Sequence, residues 1–129
     1  MKKFLPLNFI YILFSLCFQQ ALGQVNNAYS VLNYFRKIVK LRKDNLVLVY
    51  GRYTLLDKNN PKVYAYAREL DGQKMLLLLN FSASTAQANI GSITTNANVL
   101  LSNYKNSFLN NKIQPHIALR PYEAIIYKL

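Results

Sequence analysis

The dipeptide Asp71-Gly72 constrains this chain more than any other feature. It lies between "VYAYAREL" (63–70) and "KMLLLLNF" (74–81). An Asp-Gly pair between two runs of strand-forming residues is the strongest short-range signal for a β-hairpin with a two-residue loop. With that loop, Glu69 falls opposite Lys74 and Tyr66 opposite Leu77, an opposite-charge pair and an aromatic–aliphatic pair that suit an antiparallel ladder. In the first strand Tyr64, Tyr66 and Arg68 share one face, and the small Ala65 and Ala67 share the other. The second strand is apolar without alternation, as a central strand covered on both faces would be.

The remaining runs fit around this hairpin. "YGRYTLL" (50–56) leads into the turn-rich "DKNNPK". The segment 82–98 is polar and rich in Ser, Thr and Asn, with room for one short strand near 86–90. "VLLSNY" (99–104) reads as a strand, then "NSFLNNKIQP" as a loop, then "IAL" (117–119) and "YEAIIYKL" (122–129) as strands flanking a turn at Arg120-Pro121. About seven antiparallel strands at short spacing, behind a single helix, make the expected class all-β, a Greek-key β-sandwich.

The helix is "VLNYFRKIVKLRKDN". Ser30 is a good N-cap ahead of it. At about 100° per residue, Val31, Leu32, Tyr34, Phe35, Ile38, Val39 and Leu41 fill an arc of roughly 180°. Arg36, Lys37, Lys40, Lys43 and Asp44 occupy the other side. Ordinary amphipathicity therefore explains the basic run, and cations near the C-terminal end suit the helix dipole. Arg42 is the exception, because it falls inside the apolar arc. It is expected to be partly buried against a carboxylate or carbonyls. So wide an arc suggests a helix wedged between two bodies.

The N-terminus bounds the cell biology. Lys2 and Lys3, an apolar run from Phe4 to Phe18, and Ala21-Leu22-Gly23 before Gln24 follow the pattern of a secretory signal peptide. The run is shorter than the ~20 residues a spanning helix needs. The expected organisation is a signal peptide at 1–23, a linker at 24–29, the amphipathic helix at 30–45 and the β-sandwich at 46–129. The product would be exported to the periplasm or the medium, with no membrane contact after cleavage. Cleavage removes Cys17, the only cysteine, and with it any disulfide, thiolate nucleophile or sulfur-based zinc site. It also lowers the formal net charge from +11 to +9. Basic charge favours acidic partners, but an exported protein rarely meets nucleic acid.

The succession "VLNYFRKIVKLRKDN", "VYGRYTLL", "VYAYAREL" with "LLLLNFS", "VLLSNY" and "LRPYEAIIYKL" resembles the C-terminal end of bacterial α-glucosidases and oligo-1,6-glucosidases. These belong to glycoside hydrolase family 13, the α-amylase superfamily. The resemblance covers residues 29–129. It implies that the helix corresponds to the last helix of a (β/α)₈ barrel and the strands to a β-sandwich packed against that barrel. It also implies that the catalytic Asp nucleophile, the Glu acid/base and the second Asp lie in the barrel, upstream of anything matched here. No catalytic residue carries over.

The acidic residues agree. Retaining glycoside hydrolysis needs two carboxylates about 5.5 Å apart. The chain has five acidic residues. Asp44 ends the helix, Asp57 and Asp71 sit in turns, and Glu69 faces Lys74, which leaves Glu123 alone. Glu123 shares a strand face with Ile125, Tyr127 and Leu129, so it is either partly covered or an edge charge in water. His116, between Pro115 and Ile117, reads as a loop residue with no ligand partners. No metal or cofactor motif is present. Tyr64, Tyr66, Tyr122 and Tyr127 could stack on sugars, although alternation places most of them in the core or at its rim. Asn80-Phe81-Ser82 is formally an N-glycosylation triplet.

The residues expected to matter are structural: Arg42, Glu123, Asp71 and Gly72. The leading expectation is a non-catalytic sandwich module that packs against a catalytic barrel. A free-standing carbohydrate-binding domain, weakly engaging α-glucan through a coplanar tyrosine pair, is the alternative. A basic surface binder acting through Arg36, Lys37, Lys40 and Lys43 is a third, and self-association through the helix is a further expectation.

Overall fold

The computed structural model describes residues 23–28, 30–93, 95–105 and 113–129. Most of the expected signal peptide lies outside these residues. The elements are helices α1 (Val31–Asp44) and α2 (Val47–Tyr50), then strands β1 (Arg52–Leu56), β2 (Val63–Leu70), β3 (Gln73–Asn80), β4 (Ala86–Asn89), β5 (Asn98–Ser102), β6 (His116–Leu119) and β7 (Ala124–Lys128). The chain divides into two compact units, Met1–Leu41 and Arg42–Leu129.

The second unit is a two-layer, all-β structure in which every strand pair is antiparallel. One sheet has the order β1-β2-β3-β7-β5, and the other pairs β4 with β6. From β3 onward the chain alternates between the sheets, so β7 comes back between β3 and β5 and fills a central position. The β2–β3 hairpin forms in the expected register, with Glu69 opposite Lys74 and Tyr66 opposite Leu77. Asp71 and Gly72 both have positive φ, 50° and 77°. That is the type I′ geometry whose twist matches the flanking strands.

Register explains the unbroken apolar run of β3. Leu76 and Leu78 point inward with Ala65, Ala67, Ile125 and Tyr127, all buried. Ala86 and Ala88 of β4, Ile90 and Leu119 close this core from the second sheet. Met75 and Leu77 point to the other face, where they are buried beneath Val47 of α2 together with Leu48, Tyr66, Leu70, Leu79 and Ile126. A strand covered on both faces has no alternation to show.

In the first unit the Asn33 backbone N–H donates to Ser30 Oγ at 3.2 Å, a regular N-cap. Residues 24–27, expected to be linker, are tied to the helix start. Asn33 Nδ2 donates to the carbonyls of Gln24, Val25 and Asn27, and Ser30 Oγ donates to that of Gln24. No residue of α1 is buried, and Val31 and Phe35 are 80% and 61% exposed.

Arg42 is exposed as well, against the expectation of partial burial. On a helical wheel Val31, Phe35, Ile38 and Arg42 fall within about 60° of one another. The helical phase is therefore as expected, but the whole stripe is open to solvent, so Arg42 has no desolvation to offset.

Candidate functional site

Each feature that could carry chemistry has a position in the fold. Of the carboxylates, Glu69 pairs with Arg52 of β1 at 3.7 Å, although Lys74 is its partner in register on β3. Asp57 Oδ2 accepts from Asn60 Nδ2 and from the Asn89 backbone N–H, which ties the β1–β2 loop to β4. Asp71 is in the hairpin turn, and Asp44 ends α1. No group of three potential metal ligands occurs among the described residues.

Glu123 is the exception in burial. It is 1% exposed, beside a central rather than an edge strand. Its carboxylate accepts from the Arg120 backbone N–H at 2.7 Å, from Arg120 Nε at 3.0 Å and from Arg120 Nη2. The guanidinium also lies 4.1 Å from the centre of the Tyr104 ring, and Tyr104 Oη donates to the Pro121 carbonyl. Tyr122 has a positive φ of 53° in the turn that this clasp closes.

Asn80, also buried, joins the same corner. Its Nδ2 donates to the carbonyls of Ser84 and Arg120, and its Oδ1 accepts from the Ser82 N–H and hydroxyl. In the sequence Asn80 stands out only as the start of a glycosylation triplet and Arg120 only as part of a turn, and neither is linked to Glu123. The available signals were a polar residue closing "LLLLN" and an Arg three residues before a Glu. Of the four residues expected to be structural, Asp71 and Gly72 make the turn, Glu123 makes the corner, and Arg42 sits on an open surface.

The outer face of the large sheet carries the tyrosines. Tyr53, Tyr64 and Tyr66 cluster there, with ring centroids 5.3 and 5.2 Å apart and planes tilted by 38° and 48°. No coplanar pair exists among them. The Tyr53 and Tyr64 hydroxyls are 2.7 Å apart, and this hydrogen bond pushes the Tyr53 phenol up to about 12. Tyr127 is buried in the core, whereas Tyr122 is exposed. Beside Tyr64 lies an open cleft of about 420 Å³, lined by Asn60, Pro61, Lys62, Val63, Tyr64 and Phe81.

The strands thus form a two-layer sandwich with a clasped corner and an aromatic outer face. Residues 53–126 match the maltogenic amylase C-terminal domain family, and the chain belongs to that family, the C-terminal domain of family 13 glucosidases. It is 35% identical over 105 residues to the oligo-1,6-glucosidase of Bacillus cereus, covering 81% of this chain and 19% of that enzyme. It is 38% identical over 104 residues to the probable oligo-1,6-glucosidase 2 of Bacillus subtilis, covering 78% of this chain and 18% of the relative. Among solved structures, the isomaltulose synthase of Erwinia rhapontici NX5 superposes with a TM-score of 0.75 at 34% identity, covering 83% of this chain and 19% of the synthase. The chain thus spans about a fifth of the length of the relatives it matches.

Proposed function

We propose that this chain serves as the non-catalytic Greek-key sandwich module of an exported α-glucosidase-type enzyme, stabilising and packing against a (β/α)₈ barrel that hydrolyses α-glucosidic bonds. The observation that carries the reading is the collinear match of residues 53–126 to the C-terminal domain of enzymes of which this chain spans only about a fifth. The five carboxylates support it, since the one that is buried is held by Arg120. The exposed stripe of α1 is a surface of the kind a second domain would cover. Export rests on the residue pattern of 1–23 alone.

Incubating the purified chain with maltose, isomaltose or a nitrophenyl α-glucoside should release no glucose above a buffer blank. Turnover that disappears on replacing one acidic residue would overturn the non-enzymatic assignment.

A further inference from the structure

We infer that the open cleft at the start of β2 is a binding site for α-glucan chains. The identity of the sugar rests on the glucosidase-type reading above, whereas the site itself rests on geometry. Phe81 is 68% exposed and Tyr64 is 40% exposed, and both line the cleft. Neither is loosely presented. The Phe81 N–H donates to the Lys62 carbonyl at 2.9 Å, directly after Asn80, whose side chain is locked into the corner. Tyr64 lies on a paired strand, and its hydroxyl is held by Tyr53. Both rings therefore stand on backbone that needs no ordering when a ligand arrives, which lowers the entropy lost on binding.

The polar groups suit a neutral, hydroxyl-rich ligand. The Asn60 amide is fully committed to Asp57, Gln87 and two backbone N–H groups. The linked Tyr53 and Tyr64 hydroxyls can still donate and accept around the rim, and the Lys62 ammonium, which donates to Ser84 Oγ at 3.3 Å, has further N–H groups to donate. A glucose ring has C–H faces that pack on aromatic surface and an edge of hydroxyls that needs such partners. With one cation in the lining, the cleft has little to hold a phosphate or a polyanion. Being open, it would take one stretch of a chain and would not enclose a small molecule, so the affinity expected is weak, Kd on the order of 1 mM.

The test is an amide chemical-shift titration of the whole chain with maltoheptaose, isomaltotetraose and, as a control, cellohexaose. Saturable shifts should appear at 60–64 and 81 with one or both α-linked sugars and not with cellohexaose. Phe81→Ala should weaken binding at least tenfold. Because Phe81 is exposed, that variant should keep its melting temperature. Lys62→Ala should weaken binding less, and Tyr50→Ala should leave it unchanged. Absence of shifts with the α-linked sugars, equal shifts with cellohexaose, or undiminished binding by Phe81→Ala would each overturn the site. Turnover of α-glucosides would instead overturn the proposed function and leave the cleft standing.

Discussion

At the scale of single residues, two contacts decide most of what a substitution should do. Glu123 is buried with charged and neutral donors around it. Glu123→Ala should cost about 1–3 kcal/mol, because it leaves the Arg120 backbone N–H without its acceptor, while the partly exposed Arg120 guanidinium can turn to water. Glu123→Gln, which keeps the shape and one acceptor, should cost less, and urea midpoints would rank the two. The sequence showed that Glu123 shares a face with Ile125 and Tyr127, but not its partner, since that depends on how the turn at Pro121 folds back. Arg42 illustrates the opposite limit. A helical wheel gives angular phase but says nothing of cover. Arg42→Ala and Lys40→Ala should both fall within about 0.5 kcal/mol of the parent. The exposed phenol pair adds a pH dependence. The hydrogen bond to Tyr64 pushes the folded Tyr53 phenol up to about 12, above the ordinary tyrosine value of about 10. The folded state therefore favours the protonated form. Its contribution is complete below pH 10, and it is lost as the pH rises through 12. Phenolate absorbance should show Tyr53 ionising nearer 10 in Tyr64→Phe, where Tyr53 can no longer donate to a hydroxyl.

At the scale of elements, seven strands and one long helix were legible, with ends within two residues for nearly all, because period-2 and period-3.6 patterns and turn residues all agreed. The short α2 was not, since "VLVY" is too brief to display a helical period and reads as β-branched strand. Its place is set instead by packing, with Val47 buried against Met75 and Leu77. Gly51 ends it for a steric reason. A Cβ there would meet the Val47 carbonyl oxygen at 2.3 Å, and Gly51 Nα–H donates to that same oxygen. Gly51→Ala should therefore destabilise by about 1–3 kcal/mol, as overpacking does, visible as a lower urea midpoint. The elements should also differ in local stability. Met75, Leu76, Leu77 and Leu78 of β3 are buried, and α1 buries no residue at all. Amides of α1 should exchange faster than those of 75–78, because opening the helix gives up little apolar contact. Equal protection would show that α1 is held by more than its burial indicates.

For the whole molecule, the open stripe of α1 sets apart the partners this chain can take. Val31, Phe35 and Ile38 are spaced four and three residues apart, the interval of a helix-packing seam, and all three are exposed. The same helix carries Arg36, Lys37, Lys40, Arg42 and Lys43 against one acid, Asp44, on a chain of net charge +11. Two copies meeting through the stripe would gain apolar contact and suffer repulsion between like charges. Salt screens that repulsion, with a Debye length of about 10 Å at 0.1 M and about 3 Å at 1 M. Self-association through α1 should therefore be slight in dilute buffer and should grow with salt. An apolar dye should bind at every ionic strength. A polyanion held by the same cations should behave in the opposite way, its affinity falling steeply as salt displaces it. Light scattering and dye fluorescence across a salt series separate these cases. The expected result is dye binding throughout and a mass that rises with salt. Phe35→Ser, which removes the centre of the stripe and leaves every cation in place, should suppress both. A mass independent of salt together with no dye binding would mean that the stripe is covered in solution. The chain would then be an autonomous domain, with no surface left open for a barrel.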